Sequence, residues 1–128
     1  MFEPPNPPFE FDEADVLDLR FLPGLHIPVR FGAKSATSRR GKFGEVGTVW
    51  RIHHKSKGTC PNLCLNARYV TTGILELPLS EVRDVFWDLE GAESPEDFEG
   101  VWNRCPGYPT YEKAKDDFVY FHRFRRVR

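Results

Sequence analysis

The closing segment of the chain, DFVYFHRFRRV at residues 117–127, most constrains what the chain can fold into. Phe118, Tyr120, His122 and Phe124 alternate with Val119 and Phe121, so a strand here carries apolar side chains on both faces through its first half. Such a strand belongs inside a sheet with a packed layer over each face. A chain of 128 residues, 40% of them apolar and eleven of them Phe, has the material for one domain with a single core.

Other segments read as the partners that strand needs. VLDLRFLPG alternates Leu17, Leu19 and Phe21 against Asp18 and Arg20, a strand ended by Pro23-Gly24. LHIPVRFG reads as a short helix, with Pro28 in its first turn and Gly32 at its C-terminal end. TVWRIHH follows a turn around Gly44 and Gly47 and is rich in β-branched and aromatic residues, a strand pattern. LCLNARYVTTGILELPL reads as one or two strands broken at Gly73. Two helices come next. The first is expected to start with Ser80 as N-cap, to present Val82, Val85, Phe86 and Leu89 on one face, and to end at Glu90-Gly91. The second is expected to start at Ser94, with Pro95 at its first position, Asp97 at its third, and Phe98, Val101 and Trp102 as its apolar face. CPGYPTY is a loop. Strands outnumber helices and do not alternate with them regularly, which points to an α+β domain: a small, mostly antiparallel sheet or barrel with helices packed outside. Residues 1–15, with four prolines between Pro4 and Pro8, read as an extended N-terminal arm, and residues 16–128 as the domain.

The net charge of −1 points to no partner, but its distribution is uneven. From Arg30 to Lys57 there are eight Lys or Arg and one acid, Glu45, and the last seven residues hold four Arg. Two basic zones suit a local anionic partner such as nucleic acid or a nucleotide; solvated charged faces are the plainer reading. The Arg-rich C-terminus is accordingly either a phosphate contact or a solvated tail. Three cysteines, an odd number, with no signal peptide suggest a reducing, cytoplasmic setting, and no apolar run approaches a membrane span. Cys60 and Cys64, with His53 and His54 nearby, lack the tight paired spacing of a zinc site, so packed or free thiols are expected and neither a metal nor a cofactor is called for. His26 and His122 read as core-edge or surface residues. Trp50, Trp87 and Trp102 read as core, with Trp102 or Tyr120 the alternative platform for a flat base.

The basic stretch GAKSATSRR, residues 32–40, raises the question of chemistry. It is not a phosphate-binding P-loop: Ala33, not Gly, precedes the lysine, and Pro28 stands where the earlier glycine belongs. Lys34 and Thr37 are three apart. They share a face in a turn or helical arc and oppose one another in an extended strand. A lysine beside a hydroxyl can act as a base toward it where burial or nearby cations expose the neutral amine, and Arg39 or Arg40 would supply such cations. A solvated basic turn is the other reading of the same residues.

Gly32, Lys34, Ser35, Thr37 and Arg39, followed by the Gly47 turn into a strand, resemble the signature of the ASCH domain, although Thr48 stands where that signature has an acid. Glu90-Gly91 ahead of the SPEDF helix start, and the closing strand, are similar to further elements of the family in the same order, so the resemblance spans roughly residues 20–127. It implies a PUA-like β-barrel with flanking helices and an association with RNA. It also resembles a branch of the family that hydrolyses N(4)-acetylcytidine to cytidine and a carboxylate with a Lys, Thr and Glu triad. Carried over, the triad is Lys34, Thr37 and Glu90, with Arg39, Ser35 and Trp102 as substrate contacts. Lys34 is then base and acid, Thr37 or a water held by it the nucleophile, and Glu90 the group that orients Lys34 or is itself the base. The same resemblance admits a non-catalytic RNA-binding module. A ribonuclease is the remaining possibility, and no distinct motif points to it. The Pro-rich arm and the stretch HHKSKGTCPNLCLNARY lengthen this chain relative to the small enzymes of that branch.

Overall fold

In a computed structural model, the structure describes residues 9–21, 28–29, 31–53 and 66–128. A short 3-10 turn, Glu13–Asp15, leads into β1 (Leu17–Leu19), and β2 (Ala36–Arg39), β3 (Val49–Ile52) and β4 (Tyr69–Pro78) follow. Then come α1 (Leu79–Val85), α2 (Pro95–Asn103), α3 (Tyr111–Ala114) and the closing strand β5 (Phe118–Arg126). The five strands form one sheet in the order β1-β3-β4-β5-β2. Four of its strands pair antiparallel, whereas β1 runs parallel to β3. The α+β class and mostly antiparallel pairing agree with expectation, but the barrel is not closed. Its edge strands β1 and β2, of three and four residues, do not pair with each other, and closure requires a continuous ladder. The gap is spanned by a side chain: Arg39 of β2 donates to the Arg20 carbonyl at 2.8 Å and lies over the Phe21 ring at 5.2 Å, just past β1.

β5 is the spine, paired to β4 over nine positions and to β2 over four. Its two faces serve two cores, as its pattern implies. Phe124 joins Leu19, Phe21, Val29, Trp50, Ile52 and Tyr69 on one face, where Trp50 stacks on Tyr69 at 4.7 Å and meets Phe124 edge-on at 4.8 Å. Val119 and Phe121 join Ala36, Leu79, Val82, Phe98, Trp102, Tyr111 and Ala114 under the helices. Phe118 departs from the pattern and is exposed, since it opens the strand at its rim. The expected break at Gly73 is a bulge: β4 is continuous, with a register shift between Thr71 and Gly73.

The helices show where cap reasoning holds. α2 matches its sequence pattern: Ser94 accepts from the Asp97 amide at 3.0 Å, with Pro95 at the start and Phe98 and Trp102 buried. α1 differs. It begins at Leu79 with Pro78 as N-cap, so Ser80 lies inside it. Its first amides need no cap side chain, because Leu79 and Ser80 donate to the Asp117 and Lys115 carbonyls at 3.0 and 2.9 Å. It stops at Val85, which is exposed, and residues 86–91 continue as irregular turns. α3 was not expected; it starts at the last residue of the expected loop, where the Tyr111 amide donates to the Asn103 side chain at 2.8 Å. Of the expected N-terminal arm, residues 1–8 lie outside the described residues, as do Pro23-Gly24, His26, His54, Cys60 and Cys64. The end of that arm is tied to the domain, since the Glu13 carboxylate accepts from Arg68 Nε at 2.9 Å and from Arg128 at 3.0 Å. Those guanidinium contacts, led by the Arg68 hydrogen bond, hold the Glu13 carboxyl below its ordinary range. Among the described residues no helix is long and apolar enough to cross a membrane.

Candidate active site

The GAKSATSRR stretch is neither a helical arc nor a free basic turn. Gly32, at φ +83°, ends the turn after Val29, and the chain then extends into β2. The Ser35 and Ala36 amides both donate to the Leu89 carbonyl, at 2.8 and 3.0 Å. This sews the start of β2 to the turns after α1 and brings residue 34 against residues 90–91. Gly91 is required there on two counts. Its φ is +85°, and a Cβ on it would stand 2.8 Å from the Lys34 Cβ.

Lys34 and Glu90 consequently meet in a buried pair. Lys34 Nζ donates to Glu90 Oε1 at 3.0 Å and to the Glu90 carbonyl at 2.9 Å, with the two residues 4% and 7% exposed. The second carboxylate oxygen accepts from Ser38 Oγ at 2.7 Å. Thr37 is also buried, but alternation along β2 turns its side chain to the face opposite Ser38, across from His122. Among the described residues, no hydrogen bond joins the Thr37 hydroxyl to Lys34 or Glu90; the hydroxyl that meets the pair is that of Ser38.

Three neighbours define the environment. His122 accepts at Nε2 from the Phe43 amide at 3.0 Å, which places its proton on Nδ1, 3.2 Å from the Thr37 carbonyl. Burial holds this imidazole below its ordinary pKa, so it is a neutral strut between β5, β2 and the loop after β2. Arg39, expected as a substrate contact, spans the sheet edges as described above, and its buried Nε has no partner among the described residues. Trp102 is a core residue at 3% exposure: its indole donates to the Pro109 carbonyl at 2.9 Å and its ring packs on Tyr108 at 4.8 Å, so no open face remains for a base. Tyr108 in turn receives the Arg40 amide at 3.2 Å. The Cys105 thiol near this site is pushed up in pKa by burial, the opposite of an activated nucleophile.

A cavity of about 350 Å³ opens beside Lys34 and Ser35, with Val29, Phe31, Tyr69, Phe124, Arg125 and Arg126 on its other walls. Ser35, expected as a substrate contact, is one of its lining residues. The volume lies at the low end for small-molecule sites, and apolar walls with a few convergent polar groups are their usual make-up.

No protein-family model matches the chain, and no curated protein matches it in sequence. Solved structures do match in fold. The ASCH protein of Zymomonas mobilis has a TM-score of 0.59 at 10% identity, over 88% of this chain and 68% of its own. The chain has the ASCH fold. A hypothetical protein, PH0355, shares it at TM-score 0.59 and 13% identity over 87% of this chain and 98% of its own. The Enterococcus faecalis protein EF3133, assigned to the family model DUF984, does so at 0.59 and 16% over 88% and 80%.

Within this ASCH fold the motif elements separated in sequence come together: the Gly-x-Lys stretch and Glu90-Gly91 form one buried contact. Ser38, His122 and Arg125 were not anticipated at the site. The alternation of Lys34, Ala36 and Ser38 would have pointed to Ser38 had the stretch been read as a strand. His122 carried only its place opposite such a strand. Among the described residues, no group of three His, Cys, Asp or Glu side chains is arranged to hold a metal.

Proposed function

We propose that this chain is an amidohydrolase that cleaves the N(4)-acyl amide of acylated cytidine or cytosine, giving cytidine and a carboxylate. The observation that carries this reading is the buried Lys34–Glu90 pair, of which Lys34 lines the cavity. Burying two charges costs several kcal/mol per ion, on the order of what their attraction returns, so such a pair is weak as a stability device. At a cavity wall it is an acid–base candidate.

Amide hydrolysis needs a base toward water, a donor toward the developing oxyanion and an acid toward the leaving nitrogen. An ion pair is an ammonium with a carboxylate, so the base role falls to Glu90 and the acid role to Lys34. A water attacks the acyl carbon and gives its proton to Glu90. The Lys34 ammonium has three donors, two of them engaged by Glu90, which leaves the third for the acyl oxygen in this scheme. As the C–N bond breaks, Lys34 delivers a proton to the exocyclic nitrogen and is reprotonated from Glu90. Ser38 holds the far oxygen of Glu90. Thr37, the hydroxyl that the resemblance implies, is a positioning group in this scheme, since it lies on the opposite face of β2. Ser35 and the aromatic walls would hold the base.

The second reading, a non-catalytic RNA-binding module, is favoured by Arg125, Arg126 and Phe31 around the cavity. Incubation of the purified protein with N(4)-acetylcytidine, followed by chromatography for cytidine and acetate, separates them. Release supports the hydrolase; no release together with salt-sensitive RNA binding supports the module.

A further inference from the structure

The segment between β2 and β3 is held to the sheet through a titratable side chain. Its two ends are fixed. The Arg40 amide donates to the Tyr108 hydroxyl at 3.2 Å, and the Gly47 amide donates to the Thr71 carbonyl at 2.8 Å. Between them, Lys42 pairs with Glu45, and the Glu45 amide donates to Thr48 Oγ1 at 2.8 Å, both contacts internal to the segment. Among the described residues, one hydrogen bond ties residues 41–46 to the sheet: the Phe43 amide donates to His122 Nε2 at 3.0 Å. Beside it, the half-buried Phe43 ring packs against the core cluster that includes Trp50, Tyr69 and Phe124.

This bond needs a lone pair on Nε2. Nδ1 carries the proton and lies 3.2 Å from the Thr37 carbonyl. An imidazolium has a donor at each nitrogen, so a second proton sets Nε2–H against the Phe43 N–H. His122 lies on β5 between β4 and β2, so the segment is the side that yields. Of the charged groups around the ring, Arg39 on β2 opposes a second proton, and Glu90 in the turns after α1 favours it less strongly. On β4 the residue opposite is the apolar Ile74, and Glu76 on the same face is exposed. Within the segment, Lys42 and Glu45 answer each other, and Arg40 pairs with Asp117.

We propose that His122 is a proton-operated latch: a neutral imidazole closes residues 41–46 on the sheet, and protonation at Nε2 releases them together with the Phe43 ring. The latch stands independently of the amidohydrolase reading.

The test is NMR of the 15N-labelled full chain across a pH series. At neutral pH the imidazole nitrogen shifts should show a proton on Nδ1 and a bare Nε2. Below about pH 6.5, protection of the Phe43 amide against hydrogen exchange, relative to its intrinsic rate, should fall by up to about tenfold per pH unit. The fall should level off where His122 titrates in the folded chain, while the β5 amides keep their protection. His122→Gln retains an amide donor and acceptor but takes no proton, so it should hold the segment closed throughout. A proton on Nε2 at neutral pH overturns the latch. So does Phe43 protection that stays constant while His122 titrates, or that still falls in a folded His122→Gln. Loss of protection across β5 at the same pH overturns it in favour of global unfolding. If the variant does not fold, the wild-type titration alone decides.

Discussion

Replacing Lys34 with Met leaves the Glu90 carboxylate buried, with Ser38 Oγ at 2.7 Å as its remaining side-chain partner. Breaking a buried pair from one side costs about 3–5 kcal/mol, because the surviving charge is uncompensated. Glu90→Leu leaves the Lys34 ammonium with the residue 90 carbonyl alone and should cost a similar amount. For a domain whose total stability is about 5–15 kcal/mol, either loss is severe. The double variant Lys34→Met with Glu90→Leu removes both charges. What remains is a stranded Ser38 hydroxyl and the residue 90 carbonyl, roughly 1 kcal/mol each, so the double variant should lie about 1–2 kcal/mol below wild type and above either single variant. Urea unfolding followed by tryptophan fluorescence, with Trp50 and Trp102 both buried, measures all four proteins. The account predicts a coupling of several kcal/mol. A double variant as unstable as the sum of the singles would refute the claim that these groups answer one another's charge.

Three further outcomes follow from the geometry. Gly91→Ala sets a Cβ 2.8 Å from the Lys34 Cβ at a φ of +85°; it should cost about 1–3 kcal/mol in denaturant unfolding and reduce turnover by displacing Lys34. His122 has a folded-state pKa held below its ordinary 6.5 by burial, so the unfolded chain binds the proton more readily. The stability this contributes is complete above about pH 6.5 and is lost as pH falls toward the folded value, at up to about 1.4 kcal/mol per pH unit; a pH series of unfolding curves should flatten across that window in His122→Gln. Ser38→Ala should lower kcat more than Thr37→Val does, since Ser38 touches Glu90; the reverse order in steady-state kinetics would return the hydroxyl role to Thr37.

The sequence made legible those parts of the fold whose signals are local. Ser94-Pro95 predicts the start of α2 because the cap is made within four residues, and the apolar pattern of residues 118–124 predicts a spine buried on both faces because alternation is a property of one strand. What stayed hidden depends on distant partners. β2 carries an Ala, a Thr, a Ser and an Arg, none of which announces a strand in that combination; it forms because β5, some eighty residues on, offers it a ladder. Ser80 looks like a cap, yet the helix starts one residue earlier, and the Leu79 and Ser80 amides at its start are taken by the chain at 115–117. The contact of Lys34 with Glu90 was reachable only through the family resemblance, since nothing local links positions 56 residues apart. Arg39 shows the limit of that route: its motif position suggested a substrate contact, and its observed bonds tie the two sheet edges together.

The central claim, that the Lys34–Glu90 pair performs the chemistry, is tested most directly by the rate of cytidine release from N(4)-acetylcytidine, in wild type and in the Lys34→Met, Glu90→Leu double variant. The double variant is the appropriate control because it is expected to fold, so lost activity cannot be lost structure. The account predicts release by the wild-type chain and a fall of about a thousandfold or more in the folded double variant, the scale on which acid–base and oxyanion groups act. Release that persists in the double variant, or none from folded wild type, would contradict it.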